Sequence, residues 1–184
     1  ALQNLANFSM DKLGKIDILV LNAASNPYYG PLINIPDEAF EKIMSNNVKS
    51  NLWLANMVLP QMEKIGGGRI IVISSIAGIT GSPVLGAYSI SKTADLGLVR
   101  SLATEWGPKN ITVNALCPGL IKTDFARALW EDPETLSKVE ANAPLKRIGV
   151  PDEVAGAAVL LASKSGAFIT GQKIVMDGGV TITS

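Results

Sequence analysis

Tyr88 and Lys92 lie four residues apart in a stretch of helical pattern, and residues at i and i+4 share one helix face. Upstream, Ser75 follows the apolar run Ile70-Ile71-Val72-Ile73-Ser74, where a strand gives way to alanine and glycine. A phenol beside an ammonium, facing a hydroxyl delivered from a strand end, makes a proton-transfer centre. Asn47 joins this set because Asn46-Asn47-Val48 interrupts the apolar periodicity of the preceding helix. Taken singly, each residue has a plainer reading: the Tyr–Lys pair is a solvated helix face, and Asn47 marks a helix bend. The chain has no histidine, which removes the Ser-His-Asp triad, the His-Glu-x-x-His metal helix and the usual base near neutral pH. Acid–base work must fall to a carboxylate, a lysine, a tyrosine or the lone Cys117. An unperturbed tyrosine has a pKa of about 10, and one ammonium about 5 Å away at an effective dielectric of about 20 contributes on the order of 3 kcal/mol. Lys92 is therefore expected to bring the Tyr88 hydroxyl down toward neutral pH.

The elements that must position these residues alternate between helix and strand. Leu2, Leu5, Phe8 and Met10 mark a first helix that Gly14 closes. Residues 15–21 form a short, nearly continuous apolar run, the pattern of a parallel strand covered on both faces. Pro36-Asp37-Glu38 opens the next helix with carboxylates in its first turn, and Gly66-Gly67-Gly68 turns the chain into the strand at 69–74. A helix from Tyr88 to Trp106 ends at Gly107-Pro108, and residues 111–117 form a third strand ended by Pro118-Gly119. From Leu120 to Val150 the pattern weakens, and the segment reads as a helical lid within a single domain spanning 1–184. A helix beginning at Pro151 and a strand at 173–177 complete the chain. Four strands separated by helices imply an α/β fold with a parallel sheet and right-handed crossovers. In such sheets ligands bind beyond the carboxyl ends of the strands. Those ends carry Asn22-Ala23-Ala24, Ser74-Ser75 and Pro118-Gly119, small residues that let a flat ligand approach the backbone.

Lysine plus arginine equals aspartate plus glutamate at 16 each, so no net field draws nucleic acid or an anionic membrane. The apolar runs are far too short for a membrane span and the first residues lack the order of a signal peptide, so a cytoplasmic setting is expected. One cysteine excludes an internal disulfide and a multi-cysteine zinc site, and no metal is expected. Cys117 reads as a small packed strand residue and Asp177 as structural. Phe125 and Trp130 read as packing residues that, on a lid, could also line an apolar pocket.

The ordered motifs resemble the short-chain dehydrogenase/reductase family across nearly the whole chain. Asn22-Ala23-Ala24 is similar to the family's Asn-Asn-Ala-Gly segment, although Leu21 and Ala24 depart from its first Asn and its Gly. Asn47, Ser75, Tyr88 and Lys92 match its catalytic residues, Asp177-Gly178-Gly179 its closing strand, and Pro118-Gly119 with Ile121 and Thr123 the segment that holds the nicotinamide. The resemblance implies hydride transfer between NAD or NADP and a small apolar carbonyl or secondary alcohol. Ser75 would bind the substrate oxygen, Tyr88 would exchange the proton, and Asn47 would hold a water linking Lys92 to solvent. Cofactor contacts would come from Asn22, Ala23, Ala24, Tyr88, Lys92, Pro118, Gly119, Ile121 and Thr123, and substrate contacts from Ser75, Tyr88, Phe125 and Trp130. A homodimer or homotetramer is implied, its interface on the Tyr88 helix and the helix before it. The loops around Tyr28 and Phe125 look most like the carbonyl and retinal reductase subgroup, which leans toward NADP.

The family begins with a strand and Thr-Gly-x-x-x-Gly-x-Gly, whose glycines seat the pyrophosphate on a helix N-terminus, and the chain contains no such segment. The expected fold is therefore the C-terminal part of a doubly wound Rossmann-type parallel sheet with the first strands missing. Its strand at residues 16–21 would then be an open edge, and apolar surface would be exposed around it. Two functions follow as expectations: an NAD(P)-dependent oxidoreductase, or a non-enzymatic module that packs with a partner and binds no dinucleotide.

Overall fold

The computed structural model describes residues 1–183. Four parallel strands, β1 (Ile18–Leu21), β2 (Gly68–Ile73), β3 (Ile111–Pro118) and β4 (Lys173–Met176), lie in the order β1-β2-β3-β4. Register pairs Val20 with Ile71, Ile71 with Asn114 and Leu116 with Ile174, so side chains alternate strictly between the two sheet faces. One face carries Leu21, Ile70, Val72, Val113, Ala115 and Cys117 against α3 (Ser50–Lys64) and α4 (Gly86–Trp106). The other carries Ile71 and Leu116 against Leu161 of α7 (Pro151–Ala162). Helices on both faces of a parallel sheet make this the α/β arrangement expected.

The first helix, α1 (Leu2–Leu13), ends at Gly14 with φ of 76°, a left-handed turn that glycine adopts without strain. It packs against α3. The break at Asn46-Asn47 is a π-helical turn, Ser45–Lys49, joining α2 (Asp37–Met44) to α3 without interrupting the rod. Residues 120–150 are helical as expected, with a short turn at Asp124–Ala126, then α5 (Arg127–Trp130) and α6 (Pro133–Asn142). The excursion is tied at its roots, where Lys122 N donates to Gly149 O and Gly149 N donates to Leu120 O, both at 3.0 Å. Among the described residues no helix is long and apolar enough to cross a membrane.

One expectation fails on β1. Its apolar run suggested cover on both faces, yet Ile18 and Val20 are 45% and 47% exposed. The reason is geometric: α3 covers the Leu19 and Leu21 face, whereas α7 packs on β2 and β3 and does not reach the opposite face of β1. β1 is also the open edge of the sheet, as the absence of neighbouring strands led us to expect, and Val159 and Leu160 of α7 are exposed.

Behind β2 the chain makes a tight turn, Ile76–Gly78, that rests directly on α4. A Cβ at Gly78 would lie 2.8 Å from both the carbonyl carbon and oxygen of Lys92. Backbone cannot yield there cheaply, so Gly78→Ala is expected to destabilise the fold by about 1–3 kcal/mol and to push the Ser75 turn off α4. Urea unfolding of the variant measures the first effect, and a loss of any Ser75-dependent activity measures the second.

Candidate active site

Ser75 stands at the end of β2 as the residue that opens the Ile76–Gly78 turn, its Oγ accepting from Ala77 N at 3.1 Å. The same hydroxyl stands near enough to the Tyr88 phenol to pull its pKa down. Tyr88 lies in the first turns of α4, and the placement of α4 against β2 is fixed by Ser74 Oγ donating to Lys92 O at 2.9 Å. Thr93 Oγ1 donates to Gly78 O at 3.1 Å and locks the turn to the helix from the other side.

Lys92 is buried, with its Nζ 5.7 Å from the centre of the Tyr88 ring. The ammonium donates to Ile73 O at 2.9 Å and to Asp95 Oδ2 at 3.2 Å. Both members of this ion pair are almost fully enclosed, their side chains 2% and 0% exposed. Asp95 Oδ1 accepts from Asn51 Nδ2 at 3.0 Å, and the same Nδ2 donates to Asn47 O at 2.6 Å. Asn47, fully buried in the π turn, uses its side chain to fasten the loop after β1: Oδ1 accepts from Ser25 N at 2.8 Å and Nδ2 donates to Ser25 O at 3.0 Å. Nδ2 also donates to Ser91 Oγ at 3.0 Å, and Ser91 Oγ donates to Tyr88 O at 2.7 Å. The four residues singled out from the sequence therefore converge on one network. From Asn47 O a chain of protein hydrogen bonds runs through Asn51 and Asp95 to Lys92.

The electrostatics differ from the expectation that Lys92 lowers the Tyr88 pKa. The Tyr88 hydroxyl is pushed up to about 12, first by burial, against the opposing hydrogen bond from Ser75, and further by the nearby Asp95 charge. The physical reason is the burial of the phenol, which disfavours its charged form, and the Asp95 carboxylate paired with Lys92 adds a negative field that opposes the ammonium's. Burial likewise pushes the Asp95 carboxyl above the usual carboxylate range, against the pull of Lys92 and Asn51. Cys117, fully buried on β3, is also raised by burial, which suits a packed thiol rather than a nucleophile.

The remaining expected residues fall into two groups. Asn22, Ala23 and Ala24 leave the end of β1, and Pro118 and Gly119 end β3, with Gly119 N donating to Met176 O at 3.0 Å. A Cβ on Gly119 would meet Asp177 Cβ at 2.9 Å, so only glycine fits there. Ile121 bridges to Gly149 at the root of the 120–150 segment, and Thr123 accepts the Trp130 indole N–H at its carbonyl, 2.8 Å away. In the 120–150 segment, Phe125 is brought to Tyr88, with ring centres 6.3 Å apart, and remains 62% exposed. Trp130 packs instead against Thr123 and beneath Lys122, whose Nζ is 5.3 Å from its ring. A cleft of about 440 Å³ is lined by Leu120, Ile121, Val139, Leu145 and Met176, without Ser75, Tyr88 or Lys92 in its walls.

Asp95 and Asn51 escaped the sequence reading. The signal was present: Lys92, Asp95, Leu96, Val99, Leu102 and Ala103 fall on one helical stripe, so both charges sit on the face that is otherwise apolar.

Residues 1–181 match the family model described as Enoyl-(Acyl carrier protein) reductase. Dehydrogenase/reductase SDR family member 4 of Bos taurus is 46% identical over 166 residues, covering 90% of this chain and 60% of that protein. The chain thus spans about three-fifths of the length of that relative. Among solved structures, a 7α-hydroxysteroid dehydrogenase complexed with NADH and 7-oxo glycochenodeoxycholic acid superposes with a TM-score of 0.92 at 38% identity, covering 97% of this chain and 69% of the other. A gluconate 5-dehydrogenase from Burkholderia cenocepacia, in complex with NADP and tartrate, gives 0.95 at 30% identity, covering 100% and 71%. The finer resemblance read from the loops, to the subgroup related to dehydrogenase/reductase member 4, agrees with the first of these. With the parallel sheet and the matched residues, these likenesses establish that the chain belongs to the short-chain dehydrogenase/reductase family of oxidoreductases.

Proposed function

We propose that this chain carries the proton-transfer half of an NAD(P)-dependent carbonyl reductase, acting on a small apolar ketone or its secondary alcohol. The observation that carries the reading is the buried Lys92 ammonium, 5.7 Å from the Tyr88 ring and tied to Ile73 O at the strand end that delivers Ser75. The residues fit the nicotinamide end of such a cofactor. Asn22 and Ala23 are exposed beyond β1, and Lys92 has a third N–H beyond those given to Ile73 and Asp95. Asn22, Ala23, Ala24, Pro118, Gly119, Ile121 and Thr123 would line the cofactor's nicotinamide side, and Lys92 would hold a hydroxyl of its sugar. When bound, a reduced nicotinamide supplies the hydride.

The chain's own residues do the rest. The Ser75 hydroxyl donates to the substrate oxygen and holds the carbonyl against Tyr88. The Tyr88 phenol gives its proton to that oxygen as negative charge develops on it. Asn47 sets the π turn and the loop that borders the site. The exposed Phe125 ring, close to Tyr88, offers an apolar wall and favours an apolar substrate. Outward-facing Leu52, Trp53 and Ile90 on α3 and α4 suit the homo-oligomer implied by the family resemblance.

A tyrosine at about 12 in the free protein is protonated throughout the neutral range. Reduction uses that phenol, so its rate is expected to be flat across neutral pH as far as Tyr88 decides it. Alcohol oxidation uses the phenolate, so its rate is expected to climb with pH by up to about tenfold per unit, until the positive charge of an oxidised nicotinamide brings the tyrosine into range. Steady-state pH profiles in both directions check the sign.

The bare face of β1 favours a second reading, a module that packs with a partner and performs no chemistry. Titration of NADH and NADPH into the protein, followed by nicotinamide fluorescence and then by addition of an apolar ketone, separates the two. Saturable binding with ketone-dependent oxidation is expected. Failure to bind either nucleotide would overturn the reductase reading and leave the packing module.

A further inference from the structure

Lys92 and Asp95 form an enclosed ion pair one helical turn from Tyr88, and neither charge reaches solvent. The pair is held from both directions. Ile73 O accepts a second proton of the Lys92 ammonium, and Asn51 Nδ2, donated from α3, occupies the other carboxylate oxygen. Burial of two charges is costly unless geometry and added hydrogen bonds compensate, and here both sides have them. The arrangement therefore dictates where the Lys92 field points. A lone ammonium beside a phenol favours the phenolate; an ammonium committed to a carboxylate leaves the phenol protonated.

We propose that Asp95, clamped by Asn51, is a positioning residue that holds the Lys92 ammonium in an ion pair beside the Tyr88 phenol and so weakens its pull toward the phenolate. The proposal rests on the reading of Tyr88 as the proton donor, but it concerns the free protein and can be tested without cofactor.

The other groups around Tyr88 do not supply this control. On α4 the charges facing it are Lys92 and Asp95 themselves. The π turn and α3 contribute the neutral Asn47 and Asn51, and the turn after β2 contributes the Ser75 hydroxyl. On β3, the buried Cys117 thiol senses Asp95 and lies within the field of Lys173 from β4, but neither acts on Tyr88. The lid turn beside Tyr88 presents the Phe125 ring, and its charges, Asp124 and Arg127, are exposed and paired with each other. Burial is the larger influence on the phenol, and Asp95, through its pair with Lys92, is the charge that adds to it. Asn51 ties that charge to the π turn, so the orientation of Lys92 and the position of Asn47 are coupled through one amide.

The test uses protein labelled with carbon-13 at the tyrosine ζ position, followed by NMR between pH 7 and 11. The chain has three tyrosines, and Tyr88→Phe identifies the resonance. In the unsubstituted protein the Tyr88 signal is expected to stay at its phenol position. In Asp95→Asn, the phenolate-to-phenol ratio at pH 10.5 is expected to rise at least threefold, and Asp95→Glu is expected to restore the original behaviour. Asp95→Ser removes the charge while leaving room for water beside Lys92, and serves if the asparagine variant does not fold. An unchanged or smaller ratio in a folded charge-removing variant overturns the proposal. Failure of both charge-removing variants to fold also overturns it, because Asp95 would then act only as a structural residue. Because no nucleotide is present, a failure of nicotinamide binding leaves this readout intact.

Discussion

Tyr88→Phe is expected to abolish ketone-dependent oxidation of NADH or NADPH, lowering kcat by on the order of 10²–10⁴-fold, while the fold survives. The substitution deletes one oxygen atom. The ring keeps its place among α4, Ser75 and Phe125, and the Tyr88 carbonyl still accepts from Ser91 Oγ. What disappears is the phenolic proton itself. Nothing among the neighbouring side chains can replace it: there is no histidine in the chain, Cys117 is fully buried, and the Lys92 ammonium is committed to Ile73 and Asp95. Relieved of a buried hydroxyl, the variant is expected to be as stable as the parent below pH 10. Above that pH it should be the more stable of the two. The sign follows from linkage: Tyr88 stands at about 12 in the folded chain against about 10 unfolded, so the parent loses stability as pH rises between those values and the variant does not. Steady-state kinetics at neutral pH and thermal unfolding at alkaline pH measure the two halves.

Lys92→Met is expected to cost about 3–5 kcal/mol of stability, because it removes one partner of a buried pair and strands the Asp95 carboxylate in a site with no access to water. The methionine fills much of the lysine stem's volume, so a cavity is not the cause. Asp95 already stands above the usual carboxylate range through burial, and without Lys92 it rises further. Acid should therefore relieve the variant: protonating Asp95 removes the unpaired charge, so its deficit relative to the parent shrinks as pH falls. A second substitution makes the origin plain. Lys92→Met with Asp95→Leu replaces the pair by apolar side chains and is expected to recover most of the lost stability. Urea unfolding of the two single variants and the double closes the cycle. Activity should not return in the double variant, since Lys92 also holds the Ile73 strand end and faces the site.

Much of this molecule is readable from residue order. The strands at 68–73 and 111–118 are apolar runs, and the small residues beyond them mark the ligand side of a parallel sheet. Asn47, Ser75, Tyr88 and Lys92 are spaced so that a helix, a strand end and a helical irregularity must bring them together, and the structure does so. Three things were hidden, each for a physical reason. The face of β1 that carries Ile18 and Val20 has the composition of buried strand, and only the position of α7 shows that it is bare. Asp95 follows Lys92 by three residues, a spacing equally at home on a solvated helix; in the fold its carboxylate accepts from Asn51, 44 residues away in sequence. The direction of the Tyr88 shift then depends first on how deeply the phenol is buried, which spacing does not answer.

The central claim is that Tyr88 donates a proton to a carbonyl oxygen while the adjacent carbon receives a hydride from nicotinamide. The most direct measurement supplies the protein with reduced nicotinamide carrying deuterium at its transferable position, adds an apolar ketone, and examines the alcohol by mass spectrometry. One deuterium on the carbinol carbon, formed by the parent protein and not by Tyr88→Phe, is the result predicted. Alcohol without deuterium, or labelled alcohol formed equally by Tyr88→Phe, would contradict the account.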